Sequence, residues 1–334
     1  MGRRCDLVLG GGGVRGLAHV GALAALEDAG LTAERVAGAS AGAIAGALVV
    51  AGVAPTRMRQ LAHDLDYRGF ALADLIDRAT STRGLARLLE RRAPEPVDPR
   101  AWLAELLAEH GVETFGDLRV DDPDADLPPG RRYRLVVRCL DVVHRRAVRL
   151  PWDYPRYGLD PDRQSVADAV RASMSVPFVF APVPIGAEGD ERAGLLVDGG
   201  LTSGFPVTLW DRRDGRDPRW PTFGVRLLPR DRTPARPEGN LGFLRALLDT
   251  MLESGDATEP TDVRDEERTV RIDTAHLRPL DLGTDQAATD ALFEAGREAM
   301  EAFLDGLEAA GGDEAADGGR RRAGAAPGGE AQPG

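Results

Sequence analysis

The sequence predicts an α/β protein on a parallel sheet, and three observations carry that prediction. Twice near the start, an apolar strand-like run ends in glycine and opens into a helix-like run. Strand and helix patterns then alternate along most of the 334 residues, the order that builds crossover connections. Hydrophobic residues make up 43% of the chain, enough to bury a substantial core.

The elements follow from local pattern. Residues 6–9 are a short strand-like run leading into Gly10-Gly11-Gly12-Gly13. Residues 17–28 read as a helix closed by Gly30, 36–38 as a second short strand, and 41–51 as a helix closed by Gly52. Helices are expected at 57–65, 81–91 and 99–110, a helical cover broken by charged and proline-containing stretches. After the polar loop 121–130, residues 131–140 and 147–150 alternate like paired strands. Residues 166–172 are helical, and 176–185 are extended within the limits set by Pro177, Pro182 and Pro184. A strand at 195–197 ends at Asp198-Gly199-Gly200. A strand at 222–228, a helix at 241–253, a strand at 269–273 and a long amphipathic helix at 284–307 complete the order, with Asp281 and Asp285 flanking the last start. From about residue 309 no apolar periodicity is left, so 309–334 is expected to be a disordered tail.

Composition removes several function classes. A net charge of -12 gives no basic face for nucleic-acid phosphates and disfavours electrostatic attraction to an anionic membrane. No lysine occurs, which removes Schiff-base and Ser-Lys chemistry. Cys5 and Cys139 fall in apolar runs and form no disulfide framework, which favours a reducing compartment. The Arg3-Arg4 pair leads into too short an apolar run for a signal peptide, and Asp6 stands where a myristoylation site needs Ser or Thr, so the expected location is the cytoplasm. Residues 37–54 carry no charge, and Gly38, Gly42 and Gly46 have the spacing of packed membrane helices. That run is mostly Ala and Gly, too weakly apolar to span a bilayer, and a strand, tight turn and helix account for it better.

The chemistry-bearing residues cluster at strand ends. Ser40 stands in Gly38-Ala39-Ser40-Ala41-Gly42, where small neighbours let a serine sit on a sharp strand-to-helix turn and meet a carbonyl. The glycine-rich turn ahead of it, Gly10 to Gly16, can aim backbone N–H groups at the charge that develops on that carbonyl oxygen. A serine hydroxyl needs a base. None of His19, His63, His110, His144 and His276 lies in a turn-tip setting, although His19 is close to the glycine turn in sequence and stays a rival base. Asp198 follows an apolar strand and precedes two glycines, which leaves its carboxylate open to substrate; its ordinary alternative is a turn or capping aspartate.

Gly11-Gly12-Gly13-Val14-Arg15-Gly16, Gly38-Ala39-Ser40-Ala41-Gly42, Val170-Arg171-Ala172-Ser173-Met174-Ser175-Val176-Pro177 and Asp198-Gly199-Gly200 occur in the order found in the patatin-like phospholipases, which the chain resembles over residues 5–208. Glu294-Ala295-Gly296-Arg297-Glu298 is a weaker echo. The resemblance implies a three-layer α/β/α fold with a mostly parallel sheet, and a domain over 1–308 completed by 209–308. It implies Ser40 as nucleophile, Asp198 as general base, Gly11, Gly12 and Gly13 as oxyanion donors, and Arg15 and Gly16 as members of the same box. It also implies hydrolysis of lipid acyl esters with no cofactor or metal, and transient contact with a membrane surface. Where many relatives carry paired Asn after the Asp-Gly-Gly box, this chain has Leu201-Thr202-Ser203-Gly204-Phe205-Pro206, so the support of the site differs.

Two other readings compete. Gly11, Gly13 and Gly16 satisfy a dinucleotide-binding fingerprint after a strand, but the second strand runs into Ser40 and not into the acidic residue a ribose requires. A non-catalytic lipid- or protein-binding relative would keep the fold, and the intact Ser40 and Asp198 count against it.

Overall fold

The computed structural model describes residues 3–64, 98–120, 127–201, 205–212, 218–228, 236–257, 263–274, 277–279, 281 and 285–323. The expected helix at 81–91, the Ser203-Gly204 pair and His276 lie outside the described residues.

The sheet is assembled from β1 (Arg3–Leu9), β2 (Leu31–Gly38), β3 (Leu135–Asp141), β4 (Arg146–Leu150), β5 (Val183–Ile185), β6 (Gly194–Asp198), β7 (Thr222–Leu228) and β8 (Thr269–Asp273). Their order is β5-β6-β3-β2-β1-β7-β8, with β4 paired to β3. From β3 through β2, β1 and β7 to β8 every pairing is parallel; β6 joins β3, and β5 joins β6, antiparallel. This is the mostly parallel three-layer α/β/α arrangement.

Helices α1 (Leu17–Asp28) and α2 (Ala41–Val50) are the crossovers from β1 to β2 and from β2 to β3. Both connections step the same way across the sheet, so right-handed crossovers put both helices on one face. Alternation along the strands supplies that face with Leu7, Leu9, Val36, Leu135 and Val137, all buried against the two helices. The intervening Val8, Ala37 and Val136 point the other way and are buried with Trp210. On that second face Arg35 donates to Asp6 at 2.9 Å and stacks 5.3 Å from the Trp210 ring, tying β2 to β1. The step from β7 to β8 runs in the opposite direction and carries α6 (Gly239–Ala257) and the short α7 (Val263–Glu267).

Helix α3 (Pro55–Asp64) follows α2, and α4 (Pro99–Ala108) begins where the Asp98 carboxylate accepts the Arg100 N–H at 2.9 Å. Helix α5 (Val166–Ser173) starts at Ser165, whose hydroxyl accepts the Asp168 N–H. The final helix, α8, runs Gln286–Ala323 and lies across α1. Glycines make that crossing possible: a Cβ on Gly21 would meet the Phe293 carbonyl at 1.9 Å, and one on Gly296 the Ala18 carbonyl at 1.9 Å. Among the described residues no helix is long and apolar enough to cross a membrane.

The structure departs most from the sequence reading at three elements, while the strands expected at 6–9 and 131–140 begin instead at Arg3 and Leu135. Strand β2 begins at Leu31 and not at 36, because Arg3, Arg4 and Cys5 of the longer β1 extend the ladder. The expected extended run at 176–185 contracts to β5, since a turn at 177–180 intervenes at its first proline. Helix α8 passes the expected end at 307 and runs to Ala323, where five Ala, three Arg and two Glu favour the helix against four glycines at 311, 312, 318 and 319.

Candidate active site

Each chemistry-bearing residue is placed by the end of a strand. The Gly42 N–H donates to the Ala39 carbonyl at 2.8 Å and closes a turn with Ser40 at its second position. Ser40 there has φ 52 and ψ -123, the mirror-image turn geometry that glycine favours. Only glycine fits on either side: a Cβ on Gly38 would stand 2.2 Å from the Gly42 carbonyl oxygen, and one on Gly42 2.5 Å from that of Gly10. The turn therefore holds a strained serine at the mouth of α2, with its residue only 6% exposed.

A second segment secures that strain. The Ser40 N–H donates to the Ser173 hydroxyl at 2.9 Å, and that hydroxyl donates to the Arg138 carbonyl at 2.6 Å. Two residues on, the Ser175 carbonyl accepts the Asp198 N–H at 3.0 Å. Residues 173–175 thus fix the backbones of both Ser40 and Asp198. The register agrees: Gly38 pairs with Val137 and Asp198 with Cys139, so two residues beyond Gly38 brings Ser40 level with Asp198 across β3. Asp198 is fully buried, and its Oδ1 accepts the Gly200 N–H at 2.6 Å.

The glycine-rich turn lies beside them. Gly10 donates to the Val225 carbonyl at 2.9 Å, which anchors the turn to β7. Gly13 adopts φ 56, and a Cβ there would sit 1.9 Å from the Pro279 carbonyl oxygen. That same carbonyl accepts the Val14 N–H at 3.1 Å. Among the described residues, the N–H groups of Gly11, Gly12, Gly13 and Ala41 donate to no backbone carbonyl. Arg15 is buried below the turn and donates to the Gly12 carbonyl at 3.3 Å. Gly16 packs against the helix start, where its Cβ would meet that of Ala41 at 2.5 Å. Gly199 and Gly200 are buried in the 3-10 turn that follows Asp198.

The described histidines are committed elsewhere. His63 sits 3.1 Å from Asp290, His110 bonds the Leu106 carbonyl, and the His144 Nδ1 lies 2.6 Å from Asp141. His19, the rival base, is fully buried, and its Nε2 donates to the Gly10 carbonyl at 2.9 Å. Burial holds its pKa down at about 4, against a usual 6.5, so the ring is neutral and supports the glycine turn. A neutral His19 stabilises the fold fully above pH 6.5, because the unfolded chain takes up the proton first as pH falls. On the order of 3 kcal/mol should be lost between pH 6.5 and 4. Urea midpoints across this range should fall less steeply in His19→Gln than in the wild type; parallel slopes would refute the assignment. Burial also pushes the Cys5 thiol up to about 12 and raises that of Cys139, so both behave as small hydrophobes.

An apolar cavity of about 80 Å³ opens beside the serine turn, with Gly13, Ala41, Ile44, Leu48, Met58 and Trp102 among its lining residues.

The sequence reading placed Ser40, Asp198 and the glycine turns on these strand ends. Residues 173–175 stood out only through a family resemblance, and nothing local to Pro279 signals its place against Gly13.

The fold comes first in placing this molecule. VipD from Legionella pneumophila superposes with a TM-score of 0.51 at 18% identity, over 91% of this chain and 67% of that one, which shows a shared fold. Residues 7–210 match the family model described as Patatin-like phospholipase, and the chain belongs to the patatin-like phospholipase family. The uncharacterized protein YqhO of Bacillus subtilis is 32% identical over 311 residues, covering 90% of this chain and 97% of that protein. An uncharacterized NTE family protein of Mycobacterium tuberculosis is 29% identical over 329 residues, and the chain spans 47% of its length. The lysophospholipase nte1 of Emericella nidulans is 57% identical over 210 residues, 62% of this chain and 11% of that protein.

Proposed function

We propose that the chain is a serine lipid acyl hydrolase that cleaves carboxylic esters of phospholipids, lysophospholipids or related lipids through a Ser40–Asp198 dyad. The observation that carries this reading is the left-handed Ser40, held through Ser173 in register with Asp198. Two strand spacings, about 10 Å, separate strands that flank a common neighbour, a gap across which a Ser and an Asp side chain reach toward one another.

In this mechanism Asp198 takes the Ser40 hydroxyl proton as Oγ bonds to the ester carbon. The N–H groups of Gly11, Gly12, Gly13 and Ala41 receive the oxyanion, and the buried positive charge of Arg15 favours it. Collapse expels the alcohol, protonated by Asp198, and leaves an acyl ester on Ser40. Water then attacks with Asp198 again as base. A carboxylate is a weak base for a hydroxyl, so the reaction leans on the oxyanion donors.

The nucleotide reading fits the turn poorly, since the Pro279 carbonyl covers Gly13 and takes the Val14 N–H that a pyrophosphate would use. A non-catalytic relative would have no use for the strain at Ser40. Contact with a lipid surface is supported by exposed apolar side chains around the Asp198 turn. Phe178 is 69% exposed, and Phe243, Leu247 and Met251 form an i, i+4, i+8 row on α6, which packs on that turn through the buried Leu252. With a net charge of -12 such contact would be apolar, on a zwitterionic surface. The buried free thiols suit the cytoplasm.

Purified protein mixed with phosphatidylcholine vesicles containing lysophospholipid should release fatty acid, read by mass spectrometry, and sediment with the vesicles. Absence of fatty acid release from a panel of such lipids would overturn the hydrolase reading.

A further inference from the structure

A second cavity, of about 830 Å³, lies at the other end of the sheet, and its volume is usual for a small-molecule site. Ser40 and the glycine turn follow the C-terminal ends of β2 and β1. This cavity is lined instead by Arg3 and Arg4 at the start of β1, Leu31 at the start of β2 and Trp220 just before β7. The seven residues of β1 separate the two by about 20 Å, so the cavity is no part of the site built on Ser40. Its charge runs against that of the chain. Arg3, Arg4 and Arg219 line it with a single acid, Glu308, in a protein of net charge -12. The Trp220 ring gathers guanidinium groups, with those of Arg4, Arg35 and Arg219 at 6.0, 5.4 and 5.0 Å from its centroid. Arg35 is committed to the buried Asp6, but the rim arginines hold their acids loosely. Arg3 is 3.3 Å from Glu308 and Arg4 3.5 Å from Glu34, and both arginines are exposed. Exposed pairs of this kind contribute little, so another carboxylate can displace them. The remaining wall is hydrocarbon: Leu304 and Leu307 stand three residues apart on one face of α8, and Leu31 and Phe223 continue it from the sheet.

We propose that this cavity binds a fatty carboxylate, with its head among Arg3, Arg4 and Arg219 and its alkyl chain along Leu304, Leu307 and Phe223. The site goes beyond the acyl-hydrolase reading and does not depend on it. A planar guanidinium meets a carboxylate with two parallel N–H donors, and three of them against one acid favour an anion over a neutral lipid. A small anion alone finds only exposed arginines there, which hold it weakly in water. The apolar wall supplies the rest, about fourfold in affinity for each methylene it buries. Head and chain are both needed, and a fatty carboxylate carries both.

The experiment titrates the full chain with decanoate, hexanoate and decanol, followed by calorimetry and by tryptophan fluorescence. Decanoate should bind and change the emission, and that change should vanish in Trp220→Phe. Hexanoate, four methylenes shorter, should bind about 100-fold more weakly, and decanol about tenfold more weakly. In Arg4→Gln combined with Arg219→Gln, and separately in Leu307→Asp, decanoate affinity should fall about tenfold. All three side chains are exposed and stand at the sheet edge away from Ser40, so ester hydrolysis should be unchanged in these variants. Decanoate that does not bind, or that binds as tightly to the double arginine variant as to the wild type, overturns the proposal. Decanol bound as tightly as decanoate overturns it equally. Should Leu307→Asp lose its cooperative melting, the double arginine variant decides alone. Decanoate binding that needs these arginines, in a protein that hydrolyses no ester, keeps this site and discards the hydrolase. Ester hydrolysis without such binding discards this site alone.

Discussion

Ser40→Ala should abolish ester hydrolysis, with kcat expected to fall by about 10⁴-fold or more, and should abolish labelling by an active-serine phosphonate. The side chain lost is the proposed nucleophile, while the contact that fixes the turn is the Ser40 N–H to Ser173, which alanine keeps. The fold should therefore survive, with a melting temperature within about 2 °C of the wild type. Alanine also keeps the unfavourable φ of 52, whereas Ser40→Gly removes it and should melt higher, by roughly 1 kcal/mol of added stability. Both variants should be equally inactive. Hydrolysis or labelling that survives in Ser40→Ala would move the nucleophile elsewhere.

Asp198→Asn should lower turnover by about 10³-fold or more while the protein stays folded. Asparagine has the shape of aspartate and can still accept the Gly200 N–H, which the carboxylate takes at 2.6 Å, so the turn after β6 is preserved. What disappears is the basic oxygen. The fully buried position makes the neutral side chain easy to accommodate, so loss of activity without loss of stability is the diagnostic pair. The contrasting outcome is hydrolysis that persists in Asp198→Asn and vanishes in His19→Ala. The geometry opposes it, because the His19 Nε2 is engaged by the Gly10 carbonyl beneath the turn.

Some of the fold and most of the site residues were legible because their signals are local. Helix α1 and strands β7 and β8 fall where apolar spacing put them, since each is an uninterrupted run between clear breaks. Ser40 and Asp198 were legible as glycine-flanked residues at strand ends. What joins them was not. The Ser173 hydroxyl reaches Ser40 across 133 residues, and its own partner is a carbonyl, the one backbone feature that every residue shares. Pro279 closes on Gly13 from a loop late in the chain, and the cavity draws walls from four helices and the glycine turn, so no single stretch carries its pattern. The beginning of β2 and the shortening of 176–185 were misjudged for a related reason: one depends on a neighbouring strand, the other on the turn a proline admits.

The backbone at Ser40 also bears on how such a chain changes over generations. Its dihedral angles suit glycine better than any other residue, so pressure for stability alone would favour replacing the serine. Random substitution at this position therefore has an easy path toward a sturdier, inactive descendant. A lineage that no longer needed the reaction would meet no structural resistance in losing it. If Ser40 is the nucleophile proposed above, a serine still standing in that conformation reflects selection for chemistry rather than for folding.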